Sequence, residues 1–299
     1  MKQQWDERNR DLVVGIDDRL VHRDEAGISP FDSVVQGGDA VWEGLRLHRG
    51  RIFKLTEHLA RLRRSAQALA FTAVPGAVEI TERIRAVLAA NSMTDDVHVR
   101  LTLTRGVKIT SGMDPRLNQS GPTLIVLAEF KSPVYDDSGI SLVTSSVRRH
   151  RPDSLDPKIH HNNLLTSILA KVEANVAGAD DALMLDDDGF VAETNATHVF
   201  HVLDGLVRTS TTRACPEGIT RETIVEICAA TGVPTAVGDY SLTDVYNADE
   251  VFVTGTMGGV TPVLTVDGRT IGSGRPGPFV EKLSAAYLER TATEGTLVV

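Results

Sequence analysis

At 299 residues the chain can fold as one large or two ordinary domains, each with a substantial core. Its apolar fraction of 41% and charged fraction of 24% are those of a globular protein, and 31 basic against 40 acidic side chains, a formal charge of -9, argue against nucleic-acid backbone binding while leaving room for a local basic pocket. No apolar run approaches the roughly 18 to 20 residues of a membrane span, the opening residues lack a secretory pattern, and Cys215 and Cys228 make neither a disulfide framework nor a metal motif, so a cytoplasmic protein without membrane contact is expected.

In chain order, short strands are expected around DLVVGI and RLVHR, followed by turn signals in GISPFDS. TEHLARLRRSAQALA and GAVEITERIRAVLAAN have helical spacing, the second with Ile80, Ile84, Val87 and Leu88 inward. Val97, Val99, Leu101 and Leu103 alternate as in a strand, with Arg100 on the opposite face and Arg105 just beyond. A loop, SGMDPRLNQSGP, separates this strand from another, TLIVLAEF.

The turn-rich KSPVYDDSG marks a boundary, giving a smaller N-terminal α+β domain at 1–131, a linker at 132–138 and a larger C-terminal domain at 139–299. After a strand from Ile140, the spacing of Leu165, Ile168, Leu169, Val172 and Val176 predicts a helix with that stripe buried. Two or three strands are expected through DDALMLDDDGFVAETNATHVFHVLDGLVRT, with Asp186 to Asp188 in a hairpin turn. GITRETIVEICAAT reads as a helix, VFVTGTMGGVTPVLTVDG as two strands about a glycine-rich bend, and FVEKLSAAYLERTA as a terminal helix. The glycine spacing lacks the dinucleotide-binding fingerprint, so a two-domain α/β chain is expected rather than a Rossmann repeat.

Several segments carry candidate chemistry. Helix amino ends and tight turns present unpaired backbone donors, which makes Ile219–Thr220 and Thr256–Met257 candidates for holding a phosphate, with Arg61 as a positive charge for the same group. Each also has a structural reading: glycine-rich connectors are common, and a lone helical arginine usually faces water. Glu193 is either a solvated carboxylate or an acid that holds a pyridine nitrogen protonated.

The series WEGLR, EHLARL, LTRG, LDPKI, NNLLTSILAKVEA, LMLDDDGFVAETNATHVF, GITR, ADEVFVTGTMGGVTPV and VDG resembles the class IV aminotransferases, the fold-type IV pyridoxal-phosphate enzymes, over approximately residues 14 to 290. The resemblance implies a small amino acid, amine or keto acid as substrate. It implies pyridoxal phosphate held by Arg61, Glu193, Ile219, Thr220, Thr256 and Met257, and a substrate region including Trp42, Arg100, Arg105, Asn195 and Thr197. It also implies a homodimer.

Two positions depart from the family pattern. Alignment through LLTSILAK sets His160 where the family has the lysine that joins the cofactor as a Schiff base, and Gly37 stands where many relatives have a tyrosine. Imidazole can move protons near neutral pH but cannot form a reversible imine, so the cofactor is expected to bind non-covalently unless Lys158 takes the role. In an extended Lys158-Ile159-His160 segment the two side chains would share a face about 6 to 7 Å apart. Two alternatives stand beside this reading: a cofactor-independent enzyme using His160 for acid-base chemistry on a small anion, and a non-catalytic protein that binds a phosphorylated ligand. Asn162 and Asn163 have the chemistry of turn or helix-cap residues, and no third ligand accompanies the histidine pair, so no metal is expected.

Overall fold

A computed structural model of the protein describes residues 4–135 and 138–299. Of the expected linker at 132–138, Asp136 and Asp137 lie outside the described residues. The contacts divide the chain into two compact units. One runs up to Ser132 and also takes Ile159–Asn163 and Thr291–Val299; the other holds Pro133–Lys158 and Leu164–Arg290. The chain therefore contributes two later segments to its N-terminal unit.

In the N-terminal unit, β1 (Val13–Ile16), β2 (Arg19–His22), β3 (Ala40–His48), β4 (Arg51–Ile52), β5 (Val97–Thr104) and β6 (Thr123–Phe130) join the chain's last strand, Thr296–Leu297, in one antiparallel sheet. Its order is last strand, β4, β3, β5, β6, β1, β2. A five-residue helix, α1 (Ser33–Gly37), precedes β3, and α2 (Leu55–Ala68) and α3 (Ala77–Ala90) pack on the sheet. Alternation along β3 sends Val41, Glu43, Leu45 and Leu47 inward, while Leu59 and Leu62 of α2 and Ile80, Ile84, Val87 and Leu88 of α3 complete the core. Each fully buried aliphatic side chain contributes about 1.5–3 kcal/mol. Glu43 sits in that row with no exposure at all, so its charge has to be answered inside the protein.

The C-terminal unit is built on β7 (Ile140–Thr144), β8 (Asp181–Leu185), β9 (Val191–Thr194), β10 (His198–Leu203), β11 (Leu206–Ser210), β12 (Thr235–Gly238), β13 (Glu250–Gly255), β14 (Gly259–Val266) and β15 (Arg269–Thr270). The strand path is β12, β11, β10, β13, β14, β7, β8, β9, with β15 on β14. The β11–β12, β14–β7 and β7–β8 pairs are parallel. The helices are α4 (Pro152–Leu155), α5 (Leu165–Ala177), α6 (Ile219–Ala230), α7 (Leu242–Tyr246) and α8 (Pro278–Thr293). The expected two or three strands are four, β8 to β11, because a bend at 195–197 divides β9 from β10 in addition to the turns after β8 and β10.

One local expectation fails, and one condition is not met. Helix α5 buries Ala170 and Ala174 against β8, and the large apolar stripe of Leu165, Ile168, Leu169, Val172 and Val176 faces out, because only the small alanine face lets the helix approach Ala182 and Met184 closely. Lys158 lies in a turn closed by its own N–H donating to Asp156 Oδ1 at 2.9 Å, not in an extended Lys158-Ile159-His160 strand.

Candidate active site

In the N-terminal unit, the inward row of β3 meets α2 at a buried charge cluster. Arg61 donates through Nε to Glu43 Oε1 at 2.8 Å and through Nη2 to Oε2 at 2.7 Å. His58, one turn earlier on α2, lies with Nδ1 2.7 Å from Glu43 Oε2. Burial alone would raise the Glu43 pKa, but Arg61, His160 and the hydrogen bonds from Arg61 and His58 bring it down to about 2. Arg61, expected to face a phosphate, thus spends two guanidinium nitrogens on a carboxylate that sequence reasoning missed.

The segment Ile159–Asn163 lies along the start of β3. Trp42 N–H donates to the His160 carbonyl at 3.0 Å, Asn162 N–H donates to Ala40 O at 2.9 Å, and Trp42 Nε1 donates to His161 O at 3.1 Å. Neither asparagine caps α5, whose first residue follows Leu164 with no side-chain cap. Instead Asn163 Nδ2 donates to Gly38 O at 3.1 Å, and Asn162 Oδ1 lies 3.4 Å from Arg100 Nη2.

His160 is fixed on three sides. Its N–H donates to Ser65 Oγ at 3.0 Å, its ring stacks on Trp42 at 4.3 Å, and Nδ1 is 2.5 Å from the Trp42 carbonyl. A carbonyl can only accept, so Nδ1 carries the proton. Burial and the Arg61 charge push the His160 pKa down to about 4, against the pull of Glu43 and the Trp42 carbonyl. Its imidazole is therefore neutral at pH 7.

Arg100 lies over the Trp42 ring at 4.1 Å and has no carboxylate partner among the described residues. Desolvation holds its pKa below the usual arginine range, the mark of a half-buried cation with no anion beside it. Arg105, grouped with it in the sequence, is already engaged: Nε and Nη2 hold Asp39 at 2.6 and 3.2 Å, and Nη2 also donates to Leu69 O at 2.7 Å.

The C-terminal unit gathers a second set at one end of its sheet. Glu193, at the end of β9, is buried with Oε1 2.6 Å from Arg149 Nη2. His198 opens β10 opposite Thr254, which precedes the Gly255–Gly259 bend carrying Thr256 and Met257. Its Nε2 donates to Pro216 O at 2.9 Å, and its ring lies so close to Gly218 that a Cβ there would meet it at 2.3 Å. Gly218 caps α6 without a side-chain hydrogen bond, which leaves the first-turn N–H groups at Ile219 and Thr220 for another acceptor.

Lys158 is exposed in the same unit. Burial and the Glu193 carboxylate push the Cys215 thiol up, while the charges of Arg221, Arg149 and Lys158 act the other way. Asn195 and Thr197 are used by the fold: Asn195 Oδ1 accepts from Ala182 N–H at 2.8 Å, and Thr197 Oγ1 lies 2.7 Å from Thr194 Oγ1. A buried carboxylate beside a helix amino end and a glycine-rich bend can hold a cationic ring nitrogen and an anionic group at once.

The sequence pattern of the family described as Amino-transferase class IV matches residues 40–266. The chain belongs to the class IV aminotransferases. It is 53% identical over 96% of its length to the branched-chain-amino-acid aminotransferase-like protein 2 of Arabidopsis thaliana, covering 52% of that protein. The chain thus spans about half the length of this relative. It is 35% identical to the putative branched-chain-amino-acid aminotransferase of Methanocaldococcus jannaschii, over 92% of this chain and 95% of that one. The T.th. branched-chain amino acid aminotransferase, solved in complex with N-(5'-phosphopyridoxyl)-L-glutamate, superposes with a TM-score of 0.88 at 32% identity and 95% coverage of both chains. The architecture is that of this family: α/β, two-domain, fold-type IV. No helix among the described residues is long and apolar enough to cross a membrane.

Proposed function

We propose that this protein is a pyridoxal-phosphate-dependent aminotransferase that exchanges the amino group of a small amino acid with a keto acid, and that Lys158 supplies the amine that bonds to the cofactor. The observation that carries the proposal is buried Glu193, paired with Arg149, in the unit that also holds the α6 amino end and the exposed Lys158. Bound there, pyridoxal phosphate would supply an electron-withdrawing ring. Glu193, paired with Arg149, matches a protonated pyridine nitrogen, and the Ile219–Thr220 N–H groups match a phosphate.

Lys158 has the chemistry for this role. It is exposed, so its flexible amine is free to reach a partner, and a primary amine is the group that an aldehyde cofactor requires. His160 meets neither requirement: its ring is neutral, stacked and tied through Nδ1, which gives the acid-base alternative no support. Arg100 has the chemistry to take a substrate carboxylate, which an amino acid and a keto acid both carry. The similarity to branched-chain amino acid aminotransferases makes branched-chain amino acids the first substrates to try.

The test is borohydride reduction of protein supplied with pyridoxal phosphate, followed by peptide mass spectrometry. A phosphopyridoxyl group on Lys158, absent in Lys158→Ala and retained in His160→Ala, is the expected result. Label on another lysine, or cofactor absorbance with no label, would overturn the assignment.

A further inference from the structure

Helix α6 begins without the side chain that usually closes a helix. Its N-cap, Gly218, has φ -70° and ψ 123°, a conformation open to every residue, so backbone geometry does not call for glycine there. A neighbour does. The ring of His198 fills the space a side chain would take: a Cβ on Gly218 would lie 2.3 Å from Cε1 and 2.6 Å from Nδ1. Serine or aspartate at this position would turn back onto the first-turn N–H groups, whereas glycine leaves them open and admits the imidazole.

The same ring faces two further groups. Nε2 donates to Pro216 O at 2.9 Å, and since a carbonyl only accepts, this nitrogen carries the proton. It also lies 3.9 Å from Glu193 Oε2. His198 is itself well anchored: it opens β10 in register with Thr254 of β13, and its side chain is only 12% exposed. One imidazole fixed to the sheet therefore holds the segment leading into α6 and stands beside the buried acid.

We propose that His198 is a positioning residue for an anion at the α6 amino end. By pinning Pro216 and backing Gly218, it sets the direction of the Ile219 and Thr220 N–H groups before a ligand arrives. Cys215 Sγ, 3.5 Å from Thr211 O, and Arg221, whose Nη2 donates to Ser210 O at 2.7 Å, hold the flanks of this segment, and His198 holds its middle. Donors that have to be ordered during binding take that cost out of the affinity, so a pre-set amino end grips an anion more tightly. The proposal rests on the function proposed above, in which the anion is the phosphate of the cofactor.

The experiment is calorimetric titration of the full chain with pyridoxamine phosphate and with pyridoxamine, which lacks the phosphate. Neither probe has an aldehyde, so both report the grip on ring and phosphate whichever lysine bonds to pyridoxal phosphate. Wild type is compared with His198→Gln, which keeps a side-chain N–H donor, and with His198→Leu, which keeps bulk alone. Loss of one hydrogen bond and of the order it imposes is expected to weaken pyridoxamine phosphate roughly 10-fold in the leucine variant. The glutamine variant is expected to recover most of that loss, and pyridoxamine to bind all three proteins alike.

A leucine variant that binds pyridoxamine phosphate as wild type does overturns the proposal, and so does one that weakens both probes equally, since the effect would then not belong to the phosphate. Should His198→Leu fail to fold, the more adaptable His198→Met takes its place with the same two outcomes. Wild type that binds no pyridoxamine phosphate overturns the function proposed above together with this inference, whereas wild type that binds it tightly while the leucine variant matches it overturns this inference alone.

Discussion

Replacing Glu43 with glutamine tests the buried cluster under the sheet. The substitution keeps the side chain's size and removes its charge, leaving Arg61, only 7% exposed, without the anion that now binds two of its nitrogens. Two routes give the magnitude. Breaking one half of a buried ion pair costs about 3–5 kcal/mol. Independently, a carboxyl held at about 2 in the folded state against 4.5 ordinarily contributes about 3 kcal/mol wherever it is ionised in both states. Because the folded pKa is the depressed one, that contribution is complete above a pH of about 4.5 and is lost as pH falls toward 2, so all of it is at stake at pH 7. Denaturant unfolding followed by tryptophan fluorescence is the assay, since both tryptophans, Trp5 and Trp42, lie in the N-terminal unit. Glu43→Gln is expected to lose about 3–5 kcal/mol, and Glu43→Gln/Arg61→Met to recover part of it because the orphaned cation is gone. A single variant within about 0.5 kcal/mol of wild type, or a double variant no better than the single, refutes the reasoning.

Other consequences are equally direct. Burial, with nearby positive charges, drops His98 to about 3, His160 to about 4 and His201 to about 4, so each protonates in the unfolded chain before it does in the fold. Stability is therefore expected to fall as pH drops from about 6.5 toward 4, by about 3 kcal/mol per histidine, and a urea midpoint flat between about pH 7 and 5 would contradict it. Gly218→Ala would drive a methyl group into the His198 ring, where a Cβ lies 2.3 Å away. About 1–3 kcal/mol of overpacking cost is expected, visible as a lowered calorimetric transition, and an unshifted transition would show that the α6 amino end gives way freely. Arg100→Met is expected to raise KM for the amino acid about 10- to 100-fold with kcat little changed, the loss of one charge-assisted carboxylate contact; an unchanged KM removes Arg100 from substrate binding.

What the sequence disclosed followed from what its local patterns can encode. Period-two alternation placed β5 and period 3.6 placed α3 with all four inward residues correct, since both depend only on near neighbours in the chain. The same alternation would have exposed Glu43: Val41, Leu45 and Leu47 define an apolar row, and a carboxylate between them requires a buried cation, which α2 provides at Arg61. The signal was present, but reading Arg61 as a phosphate ligand hid its partner. The HHNN segment offered no comparable signal. Its residues read as a cap, yet they pair with β3 through backbone groups of Ala40 and Trp42, more than a hundred residues earlier in the chain, and such pairing leaves no local trace.

Helix α5 marks a different boundary. Periodicity correctly identified Leu165, Ile168, Leu169, Val172 and Val176 as one face, and the inference that this face lies in the chain's own core was the step that failed. An apolar stripe reveals that a surface is better out of water; it does not specify what covers it. Size makes that distinction here. Ala170 and Ala174 let α5 sit close against Ala182 and Met184, and larger residues on that side would hold the helix off the sheet. Two apolar faces on one helix, one small and sheet-bound, the other large and outward, require two different coverings, and the chain's own fold supplies only the first.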